Sequence, residues 1–350
     1  MYFAVLGKNP NISMRELELV QAKEISYPKK GIVIFDTKYP ELMPQLWGVI
    51  KIGTVVKEKD LQEILKDVKI IWIQNEANGK HLKRTVGIRR YKLVDIFHTD
   101  KEIRAKGKEI INLENGLYGI VEQYQNIELY EAIDFGKPWR SMDMGMMPAK
   151  LAHMMINIWL TSFIHNSESN MENICIYDPF VGSWTTWLLA NYLGYDFIGS
   201  DIKTAYVEQN AIWRKNSKFY TPNKQFAIFT HDIIQKIMTP IIKEGTVIIT
   251  EWRLWPIVTK KTSEQDIQKY QEQVLQLYKS FFDRIQEIWS GVAVFTIPYY
   301  AGQNNYLKQQ VSEYGTKIWL HVKAIPEIYG REWQQVGREI LMVDKQRENI

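Results

Sequence analysis

Hydrophobic and polar positions change rhythm partway along this chain. Up to about residue 60, short apolar runs alternate with polar ones, as in small α+β units of the ferredoxin-like kind. Tyr2–Leu6 reads as a strand. Ser13-Met14-Arg15-Glu16 has capping-box spacing and predicts a helix opening there, with Leu17 and Val20 inward. Gly31–Phe35 predicts a second strand, Pro40–Leu46 a short helix and Val49–Val56 a third strand. The next stretch, to about residue 130, is again mixed α/β, with a strand at Gly116–Val121. Residues 131–147 read as a connector containing Gly136, Pro138 and Gly145.

From Pro148 the pattern becomes longer and more regular. Leu151, Met154, Met155 and Ile158 fall at helical spacing. Strands at Ile174–Tyr177 and Phe197–Ser200 then alternate with helices at 185–193 and 204–215. Further strands are expected at 226–229 and Thr246–Thr250. Thr262–Gln265 caps a long helix with an apolar stripe of Ile267, Tyr270, Val274, Leu277, Tyr278, Phe281 and Ile285. Gly291–Ile297 and Glu339–Val343 close the pattern as late strands. Alternation of β and α on this scale predicts a doubly wound parallel sheet with helices on both faces.

Composition adjusts this picture only slightly. At roughly 150 residues per domain, a chain of 350 holds two or three domains. Its 45% apolar and 24% charged residues are ordinary for a globular protein. No apolar run reaches the length of a membrane span, and the N-terminus lacks the basic start of a leader peptide. The single cysteine, Cys175, lies in an apolar run and excludes an internal disulfide framework. A cytoplasmic, reducing location follows as the expectation. The histidines lack partners at metal-ligand spacing, so no metal site is expected, and His153 reads as a core or surface residue.

The net charge of +4 is modest, but its distribution is uneven. Lys80, Lys83, Arg84, Arg89, Arg90 and Lys92 fall between Glu76 and Asp95 with no intervening acid. Such a cluster is the footprint of phosphate-backbone binding; a solvated strand and loop reads equally well.

The chemistry concentrates in Asp178-Pro179-Phe180-Val181-Gly182-Ser183-Trp184-Thr185, followed by Gly199-Ser200-Asp201. This is strand, glycine turn, helix, then a second strand ending in an acid, which is the layout of a nucleotide-type site. The turn lacks the three glycines of a pyrophosphate fingerprint and places a carboxylate directly before itself. That suits a cofactor with an ammonium group and no pyrophosphate. S-adenosylmethionine fits, with Asp178 near its amino group, Asp201 at the ribose diol and Asp232 at the adenine amine. The structural alternative is that these acids only cap the elements that follow them.

A resemblance then becomes specific. Arg140-Ser141-Met142-Asp143-Met144-Gly145-Met146-Met147-Pro148-Ala149-Lys150-Leu151-Ala152, with Asn157 and the turn at 178–185, resembles the THUMP-associated RNA methyltransferases. Within them it is most similar to the tRNA guanine-N2-methyltransferases. The likeness covers about 138–345 well and the N-terminal part more loosely. It implies a ferredoxin-like unit at 1–60, a basic THUMP-like RNA-binding region at 61–137 and a Rossmann-like methyltransferase domain at 138–350. It further implies that Phe180, Gly182, Ser183, Thr185, Ile202, Pro148 and Lys150 join the three acids in holding S-adenosylmethionine. The expected substrate is an exocyclic amine of a base in structured RNA, tRNA guanine N2 above all.

Two departures from the family pattern stand out. The family's catalytic strand usually ends Asp-Pro-Pro-Tyr, whereas this one ends Thr250-Glu251-Trp252-Arg253-Leu254-Trp255-Pro256. Glu251, with Thr250, is then expected to accept from the target amine and Trp252 to stack on the base. An amino-methyltransferase of DNA and an inactive RNA-binding paralogue are the competing readings.

The second departure is Trp184, where the turn wants glycine and where an indole is expected to fill the space of the cofactor's methionine part. Trp47, Trp139, Trp187, Trp252, Trp255 and Trp333 also stand where glycine is the ordinary choice, while Trp213 and Trp319 look ordinary. The source reading UGA as glycine would explain all seven. It would also lift the glycine count of 20 to the usual share of about 7%.

Overall fold

The computed structural model describes residues 1–94, 100–139, 146–166, 174–204, 207–234, 246–252, 258–288, 291–303, 306–331 and 334–345. Residues 140–145 and 253–257 of the motifs above, with Trp255 and Trp333, lie outside the described residues. The chain divides into two compact units, Met1–Asn126 and Ile127–Ile350.

In the first unit the elements run β1 (Tyr2–Leu6), α1 (Pro10–Leu17), β2 (Lys23–Lys29), β3 (Ile32–Asp36), β4 (Val49–Lys57) and α2 (Leu61–Leu65). They continue with β5 (Ile71–Ile73), α3 (Glu76–Thr85), β6 (Tyr91–Leu93), α4 (Asp100–Lys106), β7 (Lys108–Glu114) and β8 (Leu117–Tyr124). All eight strands join one sheet, ordered β2-β3-β1-β4-β8-β7-β5-β6. Its first four strands pair antiparallel in the order 2-3-1-4, the split βαβ arrangement. Between β3 and β4 runs a 3-10 turn, Pro40–Gln45. Lys23–Lys29 gave no strand signal because it is polar and mostly exposed at the sheet edge.

The capping box is corrected here. Helix α1 opens at Pro10, three residues before Ser13, so Ser13 and Glu16 lie inside it and are buried. Ser13 Oγ donates to the Gly48 carbonyl at 2.6 Å, and the Glu16 carboxylate accepts the backbone N–H groups of Trp47 and Gly48. The pair fastens the entry to β4 instead of capping a helix. A Cβ on Gly48 would meet the backbone Cα of Ser13 at 2.9 Å and run into the Glu16 carboxylate, so a side chain there would disturb this clasp.

The second unit begins with α5 (Ile127–Glu131), a π-turn over Ala132–Gly136 and α6 (Ala149–Asn166). Then come β9 (Cys175–Asp178), α7 (Thr185–Leu193), β10 (Asp196–Asp201), α8 (Val207–Lys215), β11 (Phe226–Thr230) and β12 (Thr246–Glu251). The unit ends with α9 (Glu264–Ile288), β13 (Val292–Tyr300), α10 (Tyr306–Lys317), β14 (Leu320–Tyr329) and β15 (Val336–Lys345). The sheet order is β11-β10-β9-β12-β13-β15-β14. Strands β9 to β13 pair parallel, and β15 runs antiparallel between β13 and β14. Every residue of β12 is buried, as a central parallel strand covered on both faces requires.

The stripe on α9 packs Phe281, Phe282 and Ile285 against Phe295, Leu341 and Val343 of the sheet. Its start is capped by Ser263, whose Oγ accepts Asp266 N–H at 3.1 Å. Strand β14 went unread because its exposed face breaks the apolar run. Cys175 is half-buried at the start of β9, not fully enclosed as its apolar neighbours implied.

Candidate active site

Crossovers to either side of β9 leave a crevice at the carboxyl ends of β9, β10, β11 and β12, where open α/β sheets take ligands. A cavity of about 370 Å³ occupies it. Asp178, Asp201 and Asp232 all stand on its wall, at or just beyond the ends of β9, β10 and β11. Phe180, Gly182, Ser183, Thr185 and Ile202 line it too, as does Met147. Glu251 and Trp252 close it from β12. Pro148 and Lys150 are not among its walls.

The turn itself explains the positions of two acids. Gly182 has φ +44°, and its N–H donates to Asp201 Oδ2 at 2.9 Å. Asp201 Oδ1 takes the N–H of Lys203, and Asp232 Oδ1 takes that of Ile234. Both acids therefore shape their turns and face the cavity at once. Asp178 is 2% exposed and accepts from Thr250 Oγ1 at 2.5 Å and from Phe180 N at 3.0 Å. Burial pushes its carboxyl up to about 6, against those hydrogen bonds, which favour the ionised form. Thr250 does not reach the cavity; its hydroxyl is spent on Asp178.

Glu251 is not a free carboxylate. Its Oε1 accepts Arg338 Nε at 2.5 Å and Thr296 Oγ1 at 3.1 Å, and Arg338 Nη2 reaches its Oε2 at 3.3 Å. Arg338 comes from β15, a strand with no motif to announce it. Trp252 packs on Phe180 with ring centroids 3.9 Å apart. The apolar ring pair and the acids line one cavity.

Trp184 overturns one expectation. Its indole does not enter the cavity; it is 1% exposed and packs into the core against Trp187 at 4.9 Å and Phe226 at 6.3 Å. Its backbone nevertheless holds φ +70° at the start of α7, a region bulky residues rarely occupy. Trp319 is corrected as well. It has φ +64° just past α10 and is 72% exposed, the position at which helices usually end in glycine.

Outside the cavity, burial lowers the His153 imidazole to about 3, so it stays neutral in the core. Among the described residues no group of His, Cys, Asp and Glu is arranged to hold a metal ion, and no helix is long and apolar enough to cross a membrane. In the first unit the six basic residues of the sequence cluster are all exposed. Lys80, Lys83 and Arg84 lie on α3, Arg89 and Arg90 precede β6 and Lys92 lies on it. Lys80 is paired with Glu76 at 2.9 Å, and Lys92 Nζ lies 5.4 Å from the Trp72 ring centre.

Comparison with known proteins adds to this geometry. The family model described as DNA methylase (N6_N4_Mtase) matches residues 142–212. No curated protein matches. Among solved structures, a possible methylase from Clostridium difficile 630 is 11% identical, covers 100% of this chain and 99% of its own, and gives a TM-score of 0.47. A candidate RNA methyltransferase from Pyrococcus horikoshii is 13% identical over 65% of this chain and 100% of its own, with a TM-score of 0.40. Magnesium protoporphyrin IX methyltransferase from Synechocystis PCC 6803, with bound SAH, is 10% identical over 63% and 94%, with a TM-score of 0.39. Likeness of this degree assigns no substrate. The observed strand order is that of the Rossmann-like methyltransferase sheet. Together with the family match it supports an S-adenosylmethionine-dependent methyltransferase.

Proposed function

We propose that the chain transfers a methyl group from S-adenosylmethionine to an exocyclic amine of a base in structured RNA, with tRNA guanine N2 the first target to test. The observation that carries this reading is the set of three carboxylates from three adjacent strand ends lining one cavity together with Glu251 and Trp252. Bound there, the cofactor supplies a methyl group already activated by its sulfonium. The protein's part is then to position the amine in line and accommodate its proton.

Asp178 would receive the ammonium end, Asp201 the ribose diol and Asp232 the adenine amine. Phe180, Gly182, Ser183, Thr185 and Ile202 would complete the cradle, with Pro148 and Lys150 supporting it from outside the wall. Glu251, fixed by Arg338 and Thr296, would accept a hydrogen bond from the target amine on the acceptor position that these partners leave open. Trp252, already backed by Phe180, would offer a stacking surface for an extruded base. The first unit, Met1–Asn126, would act as the THUMP-like RNA-binding part, with a ferredoxin-like start at 1–60 and the basic region after it; residues 127–137, expected to belong to that region, fall in the second unit instead. Lys80, Lys83, Arg84, Arg89, Arg90 and Lys92 would dock phosphates there, fixing register without reading sequence.

Mass spectrometry of nucleosides from tRNA incubated with the protein and labelled cofactor tests this. Label on N2-methylguanosine is the expected result, and no label on any RNA nucleoside sinks it. The match of 142–212 to a DNA methylase family favours one second reading, a DNA amino-methyltransferase. Duplex DNA in the same assay would then carry the label instead.

A further inference from the structure

Lys137 is 1% exposed, and lysines are almost never buried so completely unless they are paired. Its ammonium donates to Ser183 Oγ at 3.0 Å and to Thr185 Oγ1 at 2.9 Å. Ser183 and Thr185 line the cavity, whereas Lys137, which contacts their hydroxyls, does not. The ammonium has donors only, so each hydroxyl receives a hydrogen bond from it and retains its own O–H to give. Among the described residues neither hydroxyl donates to a protein acceptor. Two residues with polarised O–H donors, in contact with a buried cation, therefore line the cavity at the glycine turn. The Asp178 carboxylate lines the same cavity. One cavity thus holds both an acceptor for a cation, Asp178, and donors for an anion, Ser183 and Thr185.

We infer that Lys137, acting through Ser183 and Thr185, positions the carboxylate of a zwitterionic amino-acid group whose ammonium faces Asp178. This rests on the S-adenosylmethionine reading and deepens it, because it names how the amino-acid end of the cofactor is distinguished from a plain nucleoside. Lys137 is a positioning residue: it touches the hydroxyls, not the ligand. Neither the turn motif nor the acidic strand ends pointed to it, since it precedes the turn by more than forty residues in a segment that reads as connector.

Isothermal titration of the full chain with S-adenosylhomocysteine and with 5′-methylthioadenosine, which lacks the amino-acid carboxylate and ammonium, tests the assignment. Lys137→Met is expected to weaken S-adenosylhomocysteine by tenfold or more while changing 5′-methylthioadenosine by less than twofold, and Lys137→Arg to restore part of the loss. Equal weakening of both ligands would assign Lys137 to the scaffold alone and overturn the inference, as would an unchanged S-adenosylhomocysteine affinity. The unmodified protein provides a second arm that does not depend on a variant folding. It should bind S-adenosylhomocysteine at least tenfold more tightly than decarboxylated S-adenosylhomocysteine, which keeps the ammonium, and equal affinities overturn the carboxylate site. Binding of neither nucleoside by the unmodified protein would instead bring down the cofactor reading, and this inference with it.

Discussion

Arg338 Nε lies 2.5 Å from Glu251 Oε1, joining the last strand of the sheet to the end of β12 in a pair whose side chains are 9% and 5% exposed. A buried pair costs much when one partner is removed, since the other is left charged and unmatched. Arg338→Met is therefore expected to destabilise the protein by about 3–5 kcal/mol, read as a fall in the thermal midpoint. Glu251→Gln in the same background should recover part of that loss while leaving methyl transfer absent. A single Arg338→Met variant of unchanged midpoint would show that the pair does not hold Glu251.

Asp178 gives a pH dependence with a defined sign. Burial raises its carboxyl to about 6, so the group is neutral below that pH and anionic above it. Only the anion attracts a ligand ammonium. Affinity for S-adenosylhomocysteine is expected to rise as pH increases through about 6 and to level off above 7, with a limiting slope of about tenfold per pH unit on the acid side. Titrations from pH 5 to 8 would show this, and Asp178→Asn should flatten the curve. A flat curve for the unmodified protein would remove Asp178 from ligand binding.

Trp184 and Trp319, the tryptophans at positive φ among the described residues, should respond in opposite directions. Trp319 is exposed, so Trp319→Gly removes left-handed strain without losing packing, and a gain of about 1 kcal/mol is expected. Trp184 is fully packed, and emptying its site costs about 3–5 kcal/mol, more than the strain of about 1–2 kcal/mol that it relieves. Chemical denaturation of the two variants measures both. The codons test the glycine-decoding expectation separately: UGA at 184 and 319 sustains it, and UGG at Trp184 and Trp252 sinks it.

Charge removal on the first unit should act uniformly on RNA. Lys83→Gln, Arg84→Gln, Arg89→Gln and Arg90→Gln together are expected to weaken binding of unrelated structured RNAs alike. The slope of log affinity against log salt should fall by roughly 0.7 to 0.9 for each phosphate that is no longer neutralised. Filter binding at several salt concentrations reads this. An unchanged slope would return the cluster to an ordinary solvated face.

Much of the second unit was legible in one dimension. The apolar runs of β9, β10 and β12 and the stripe of α9 each report burial directly, because central parallel strands and one helix face must be apolar. The acids at 178, 201 and 232 were legible for the same reason: each follows such a run at the point where the chain leaves the sheet. Polar edge strands such as β2, and β14 with its exposed face, leave no such trace.

The sequence by itself determined the alternation of elements, the glycine turn and the acidic strand ends, since these depend on neighbours along the chain. Only the tertiary structure decided which distant groups meet. It tied Glu251 to Arg338, and it placed Lys137 against Ser183 and Thr185. It turned the Trp184 indole away from the cavity that it was expected to fill, and it moved Ser13 and Glu16 from a helix cap to a buried clasp on Gly48. Local spacing cannot supply these facts, because a buried polar group takes its partner from whatever the packing brings near and not from its place in the chain.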